Sequence, residues 1–323
     1  TSPQPQFVIG THALFQESVD FARLGLIVID EQHRFGVHQR LALLEKADKQ
    51  HPHQLIMTAT PIPRTLAMTL FADLDISVID ELPPGRKPVN TIAISNERRQ
   101  EVIDRIAVAC REGRQVYWVC TLVEESDALQ AQAASETCEL LRELLPGLGI
   151  ALMHGRMRSG DKSTVMQAFK SGDIDGLVAT TVIEVGVDVE NASLMVIENS
   201  ERLGLSQLHQ LRGRVGRGKR QSDCVLMYQG PLSEIARARI EIMRQTNDGF
   251  EIAQKDMELR GPGDLLGTRQ TGLPELRIAD LARDAKLVPR VQKIADTLMN
   301  DHPQQVRSLI SRWTSDRLMF GNV

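Results

Sequence analysis

No stretch of the 323 residues approaches the ~20 consecutive apolar positions that a membrane-spanning helix requires. No basic start followed by an apolar segment marks a secretory signal. Cysteine is scarce and scattered: Cys110, Cys120, Cys138 and Cys224 never form a C-x-x-C pair. That spacing argues against a zinc site or a disulfide framework and suits reduced, buried thiols in the cytoplasm. There is no basic excess either. With a net charge of −4, any contact with nucleic acid has to come from a local patch. Internal repeats and low-complexity tracts are absent. What is present is an ordinary globular composition, 42% hydrophobic and 25% charged, long enough for two domains of ~100–150 residues and an appendage.

Short β-branched runs alternate with helical patterns, which predicts a parallel α/β architecture. Candidate strands lie at residues 7–9, 24–29, 54–58 and 76–79, then at 91–94, 116–119, 150–153, 177–179, 194–197 and 224–228. Helical patterns fall between them, at 98–111, 126–145 and 162–171. Leu82-Pro83-Pro84-Gly85-Arg86-Lys87-Pro88 can continue neither element and predicts a hinge between two α/β lobes. Past Pro231 the strands stop, and helices with a glycine-rich insert carry the chain to its end. The first lobe has few strands for a doubly wound sheet, which usually holds about five or six, and is expected to be incomplete.

Four segments carry candidate chemistry. The apolar run Leu24-Gly25-Leu26-Ile27-Val28-Ile29 reads as a strand buried on both faces, and it ends in Asp30-Glu31-Gln32-His33. Two carboxylates at the carboxyl end of a parallel strand stand where α/β sheets bind ligands, although a helix cap would use the same residues. Asp30 could hold Mg²⁺ and Glu31 could orient or deprotonate a water. A second strand ends in Thr58-Ala59-Thr60-Pro61-Ile62-Pro63-Arg64-Thr65, which as a lone feature is a strand-to-helix turn. In the second lobe Ala179-Thr180-Thr181-Val182-Ile183-Glu184-Val185-Gly186-Val187-Asp188 again follows a strand. Last comes Gln207-Leu208-His209-Gln210-Leu211-Arg212-Gly213-Arg214-Val215-Gly216-Arg217-Gly218, within a span (202–220) holding six basic residues and no acidic one. Arg214 and Arg217, three apart, would share a helix face and suit phosphates across a cleft, or form a solvated basic face.

In this order the four segments resemble motifs II, III, V and VI of superfamily-two helicases. His154-Gly155-Arg156-Met157 falls in the region of motif IV, and Ile9-Gly10-Thr11-His12-Ala13-Leu14 is similar to motif Ib. The stretch 248–272, containing Ile252-Ala253-Gln254-Lys255-Asp256-Met257-Glu258-Leu259-Arg260-Gly261-Pro262-Gly263-Asp264-Leu265-Leu266-Gly267-Thr268-Arg269-Gln270-Thr271-Gly272, is similar to the translocation motif shared by the RecG family and the transcription-repair coupling factors, the RecG family fitting better. The resemblance implies two RecA-like parallel-sheet lobes, the first incomplete, followed by a helical C-terminal region. It implies the remainder of an ATP-binding lobe at 1–80, a linker at 81–97, a second lobe at 98–247, a translocation motif of helical hairpin and loop at 248–276, and a helical tail at 277–323. It also implies ATP and Mg²⁺ as cofactors, with Asp30 on the metal, Glu31 on the water and His33 coupling nucleotide to DNA. Gln210, Gly186 and Asp188 would contact ATP, and Arg214 and Arg217 would act as arginine fingers. Thr11, His12, Thr180, Thr181, Arg269 and Gln270 would meet DNA. The implied partner is branched double-stranded DNA, acted on by a cytoplasmic monomer in repair and recombination, with single-strand-binding protein as a further partner.

One departure from that pattern matters. The G-x-x-x-x-G-K-[ST] loop, whose amides and lysine cradle phosphates, does not occur. Its nearest likeness, Gly155-Arg156-Met157-Arg158-Ser159-Gly160-Asp161-Lys162-Ser163, has an aspartate before the lysine and lies in the wrong lobe, so it reads as a helix entry. The phosphate loop, motif Ia and a DNA-wedge domain are expected upstream of Thr1, and these 323 residues alone are expected not to hydrolyse ATP. An RNA helicase of the same superfamily and a non-catalytic RecA-like scaffold are the competing classes. The first should lack the 248–272 segment, and the second has no need of the retained carboxylates and arginines. The tail is expected to form a packing helix with Leu281, Ala285, Val288, Val291, Ile294, Ala295 and Leu298 on one face. Arg260-Gly261-Pro262-Gly263 is expected to end the helix that Asp248 caps.

Overall fold

The computed structural model describes residues 7–16, 18–31, 46, 52–58, 75–121, 127–180, 189–264, 284 and 287–314. The chain divides into two compact units. One comprises Ile62–Ala67 and Phe71–Leu265, the other Thr1–Pro61, Met68–Leu70 and Leu266–Val323.

The larger unit is built on a six-stranded parallel sheet of β3 (Asn90–Ser95), β4 (Gln115–Cys120), β5 (Ile150–Met153), β6 (Gly176–Thr180), β7 (Ala192–Ile197) and β8 (Asp223–Tyr228), in the order β3-β8-β7-β4-β6-β5. Strands β4, β6 and β7 are buried along their whole length, as continuous apolar runs in a sheet covered on both faces should be. Alternation along β4 divides the core. Val116, Trp118 and Cys120 face helices α1 (Arg99–Arg111) and α2 (Asp127–Leu144), while Tyr117 and Val119 face the opposite layer. That layer contains α3 (Ser159–Ser171), α4 (Leu205–Arg212), α5 (Glu234–Gln245) and α6 (Gly249–Asp264). Tyr117 meets Phe169 of α3 edge-on at 4.9 Å between ring centroids. All four cysteines are buried and reduced. Burial pushes the thiols up, Cys110 to about 11 and Cys224 to about 12, which keeps them protonated and inert.

In the smaller unit β1 (Leu26–Ile29) and β2 (His53–Ile56) pair in parallel. The helices α7 (Val288–Asp301) and α8 (Pro303–Thr314) pack on each other. No described helix is long and apolar enough to cross a membrane.

Several expectations need correction. Residues 7–9 and 76–79 form no strand; Phe7 and Ile9 are 96% exposed and Ile79 is 88% exposed, and neither segment has an adjacent strand among the described residues. Strand β1 is buried on one face only: Ile27 and Ile29 are inside, Leu26 and Val28 outside. Helix α6 does not stop before Arg260 but runs on to Asp264, so proline and glycines end it one turn later than expected. In α7, Val291 and Ile294 are exposed, and Leu281 and Ala285 lie outside the described residues.

Candidate nucleotide and DNA site

In the smaller unit Asp30 and Glu31 follow β1 directly, at its carboxyl end. The Glu31 backbone is left-handed (φ 53°), a conformation costing a non-glycine residue about 1–3 kcal/mol and concentrated at functional positions. The Glu31 amide donates to Asp30 Oδ1 at 2.8 Å, which fixes the aspartate rotamer relative to the turn. Thr11 and His12 are exposed at the start of a short 3₁₀ turn, His12–Phe15. Lys46 holds this turn from outside. Its ammonium donates to the carbonyls of Leu14, Gln16 and Val19. His33 lies outside the described residues.

In the larger unit strand order reverses between β7 and β4, the topological switch point at which α/β sheets bind ligands. The carboxyl ends there are polar and tightly bonded. Thr121 Oγ1 donates to the carbonyls of Glu198 and Asn199, Asn199 Nδ2 returns a bond to Thr121 O, and Asn199 itself is left-handed (φ 46°). Beneath this crest Glu198 is 7% exposed, paired with Arg99 at 2.7 Å and accepting from Trp118 Nε1 at 2.8 Å. The Arg99 guanidinium also lies 5.2 Å from the Trp118 ring centroid. Burial pushes the Glu198 carboxyl up, against the opposing pull of Arg99 and Trp118. Thr180, at the end of β6, is 3% exposed; Thr181, Gly186 and Asp188 lie outside the described residues, as do Arg269 and Gln270. His154 follows β5, with its pKa lowered by burial and then by Lys162 and Arg156. The phosphate-loop likeness is a helix entry as expected: Lys162 Nζ donates to Gly155 O at 2.7 Å, across the turn that leads into α3.

The basic segment departs from its sequence reading. Helix α4 ends at Arg212, so Arg214 and Arg217 stand on a turn and not on one helix face. Gly216 (φ 79°) imposes the turn, and at Gly218 a Cβ would collide with the Glu190 carbonyl, so the backbone there demands glycine. Val215, fully buried, plugs the turn into the core. Gln210 and Arg217 are exposed and Arg214 is half-buried. From the linker, Arg86 Nη2 donates to Gly213 O at 3.3 Å, and Arg217 Nε reaches the same carbonyl at 3.5 Å.

The third arginine of the segment behaves differently. Arg212 is 2% exposed and its Nη1 donates to Met243 O and Thr246 O, both at 2.9 Å, and to Thr91 Oγ1 at 3.4 Å. Its Nη2 lies 3.1 Å from His209 Nδ1. Because a guanidinium only donates, His209 Nδ1 accepts and the ring proton sits on Nε2. Burial first, then Arg212 and Arg86, push the His209 pKa down to about 4, with Asp248 pulling the other way. Sequence reading passed over Arg212, Arg86 and Lys46, since nothing local distinguishes a clamping cation from a solvated one.

Comparison with known proteins agrees with this geometry. The helicase conserved C-terminal domain matches residues 97–219, and the ATP-dependent DNA helicase RecG, domain 3, C-terminal family matches residues 246–311. The ATP-dependent DNA helicase RecG of Escherichia coli (strain K12) is 62% identical over 324 residues, covering 99% of this chain and 47% of that protein. Its counterpart in Pasteurella multocida is 61% identical, covering 99% and 47% respectively. A solved structure of RecG bound to a three-way DNA junction is 44% identical with a TM-score of 0.64, covering 87% of this chain and 35% of that one. The chain thus spans about half the length of the relatives it matches. A parallel α/β fold of the RecA-like helicase kind, with these matches along nearly its whole length, places the chain in the RecG family of superfamily-two helicases.

Proposed function

We propose that this chain is the motor portion of an ATP-driven translocase that remodels branched double-stranded DNA in repair and recombination. The observation that carries the reading is the arginine turn, residues 213–218. Glycine geometry, a buried valine and the hydrogen bonds of Arg212 hold it closely against Val89 and Glu190, which precede β3 and β7. Preorganised cations of this kind stabilise charge on a transferring phosphoryl group.

Roles follow by chemistry. Asp30 offers hard oxygen donors, and Mg²⁺ needs only one or two carboxylates because it keeps several waters, so the donor set fits that ion. Bound ATP supplies the phosphoryl group and Mg²⁺ neutralises its charge. Glu31 orients the attacking water and takes its proton, Gln210 senses the terminal phosphate, and Arg214 and Arg217 stabilise developing negative charge. His33, Gly186 and Asp188 complete the nucleotide contacts. Thr11, His12 and Thr181 hold the DNA backbone, Thr180 being buried at the end of β6, and Arg269 and Gln270 grip it beyond α6. The loop that cradles the phosphates comes from outside these residues, so the 323-residue chain by itself does not turn over ATP. The protein acts as a cytoplasmic monomer, with single-strand-binding protein a further partner.

Replacing Arg269 and Gln270 together by alanine in the full-length gene product tests the reading. Most DNA-stimulated ATP hydrolysis should survive while unwinding of forked DNA is abolished. Equal loss of both activities would assign those residues a folding role, and intact unwinding would end the translocation reading.

A further inference from the structure

Arg212 is an expensive residue to bury. Among the described residues it makes no ion pair with a carboxylate, and a charge without such a partner costs several kcal/mol to remove from water. Burial lowers its pKa accordingly. A leucine, like the Leu205, Leu208 and Leu211 that α4 already buries, would fill core space without that cost.

Its hydrogen bonds show what a leucine could not do. Met243 and Thr246 are at the carboxyl end of α5, where the last carbonyls of a helix lack intrahelical partners and carry about half a negative charge. The guanidinium satisfies both and balances that dipole. The residue it meets there, Thr246, also begins the next element: its Oγ1 accepts the Asp248 amide at 3.1 Å, and Asp248 Oδ1 accepts the Phe250 amide at 2.8 Å, capping α6. Helix α4 packs along α6, and Ile252 of α6 is buried in the same core as Leu208 and Leu211. At the other side of Arg212, two residues along the chain, stands the turn that carries Arg214 and Arg217.

We infer that Arg212 is a positioning residue that clamps the arginine turn to the α5–α6 joint, so that a displacement of the turn is passed to α6 and to the DNA-gripping segment beyond it. The inference rests on the proposed function for what the movement accomplishes. The clamp itself rests only on the hydrogen bonds above.

The test therefore has two arms, both on the full-length gene product carrying Arg212→Leu, with Arg212→Lys as the variant that keeps a cation at the α5 carbonyls should the leucine protein not fold. In amide hydrogen exchange, residues 246–252 should exchange at least ~10-fold faster than in the parent while β4 and β7 stay within about 2-fold, the pattern of a local opening and not a global one. In the second arm, ATP consumed per base pair of forked DNA unwound should rise at least ~5-fold, with KM for ATP within about 2-fold, the signature of lost coupling between two sites. Unchanged exchange at 246–252 would overturn the clamp. So would faster exchange spread evenly over the sheet, or hydrolysis and unwinding falling in proportion. If the parent protein itself shows no DNA-dependent hydrolysis, the functional reading fails, and the exchange arm still decides the clamp.

Discussion

Single residues here are set by partners far away in sequence, and this is where reading the chain fell shortest. Arg212, Arg214 and Arg217 look alike in the sequence, yet the first is buried because α5 brings its terminal carbonyls to it from 31 and 34 residues further on. The same long reach makes Glu198 a buried carboxylate, with Trp118 80 residues before it and Arg99 nearer still to the start. Two predictions follow from these pairings. Arg99→Met strands the Glu198 charge and should cost about 3 kcal/mol in urea unfolding, the scale for breaking a buried pair. A cost under about 0.5 kcal/mol would show the pair to be solvated. His209 gives a pH signature. Its folded pKa, about 4, lies below the ordinary value of 6.5, so between those values the unfolded chain takes up a proton that the folded chain refuses. The stability tied to this histidine is therefore whole above pH 6.5 and is lost as pH falls towards 4, by at most about 3 kcal/mol. His209→Gln, whose side-chain oxygen can still accept from Arg212, should flatten the decline of melting temperature over that range. An unaltered decline would place the titration elsewhere.

Elements were more legible than residues, for a physical reason. Strands β4, β6 and β7 are buried along their whole length, and a continuous apolar run bounded by turn residues declares itself without reference to the rest of the fold. Segments whose structure depends on a neighbour were misjudged. The run at 76–79 has strand composition but no adjacent strand among the described residues, and the basic segment after Arg212 has helical spacing but is broken by Gly216. Helix α6 shows both cases. Its cap was readable from Asp248-Gly249-Phe250, and the Asp248 side chain does accept the Phe250 amide. Its end was not, because proline and glycine signal only that a helix must stop nearby. Asp248→Ala should cost about 1 kcal/mol, measured by urea unfolding and localised by exchange to the first turn of α6. No loss at all would mean that packing of Ile252 against α4 holds this end unaided.

At the scale of the whole molecule, family and architecture are legible in motif order, because four motifs in a fixed sequence constrain the fold far more than any one does. The energetics of the proposed motor lie elsewhere, in the way a rigid turn presents Arg217 and a strained turn presents Glu31. The most direct test of that account is ATP turnover by the full-length gene product at saturating branched DNA, comparing the parent with Glu31→Gln and Arg217→Ala. Glu31→Gln should retain nucleotide binding and lose turnover by about 100-fold or more, the scale of a lost general base. Arg217→Ala should lower kcat far more than it lowers affinity for DNA. Turnover that stays intact in either variant, with DNA binding weakened instead, would contradict the account.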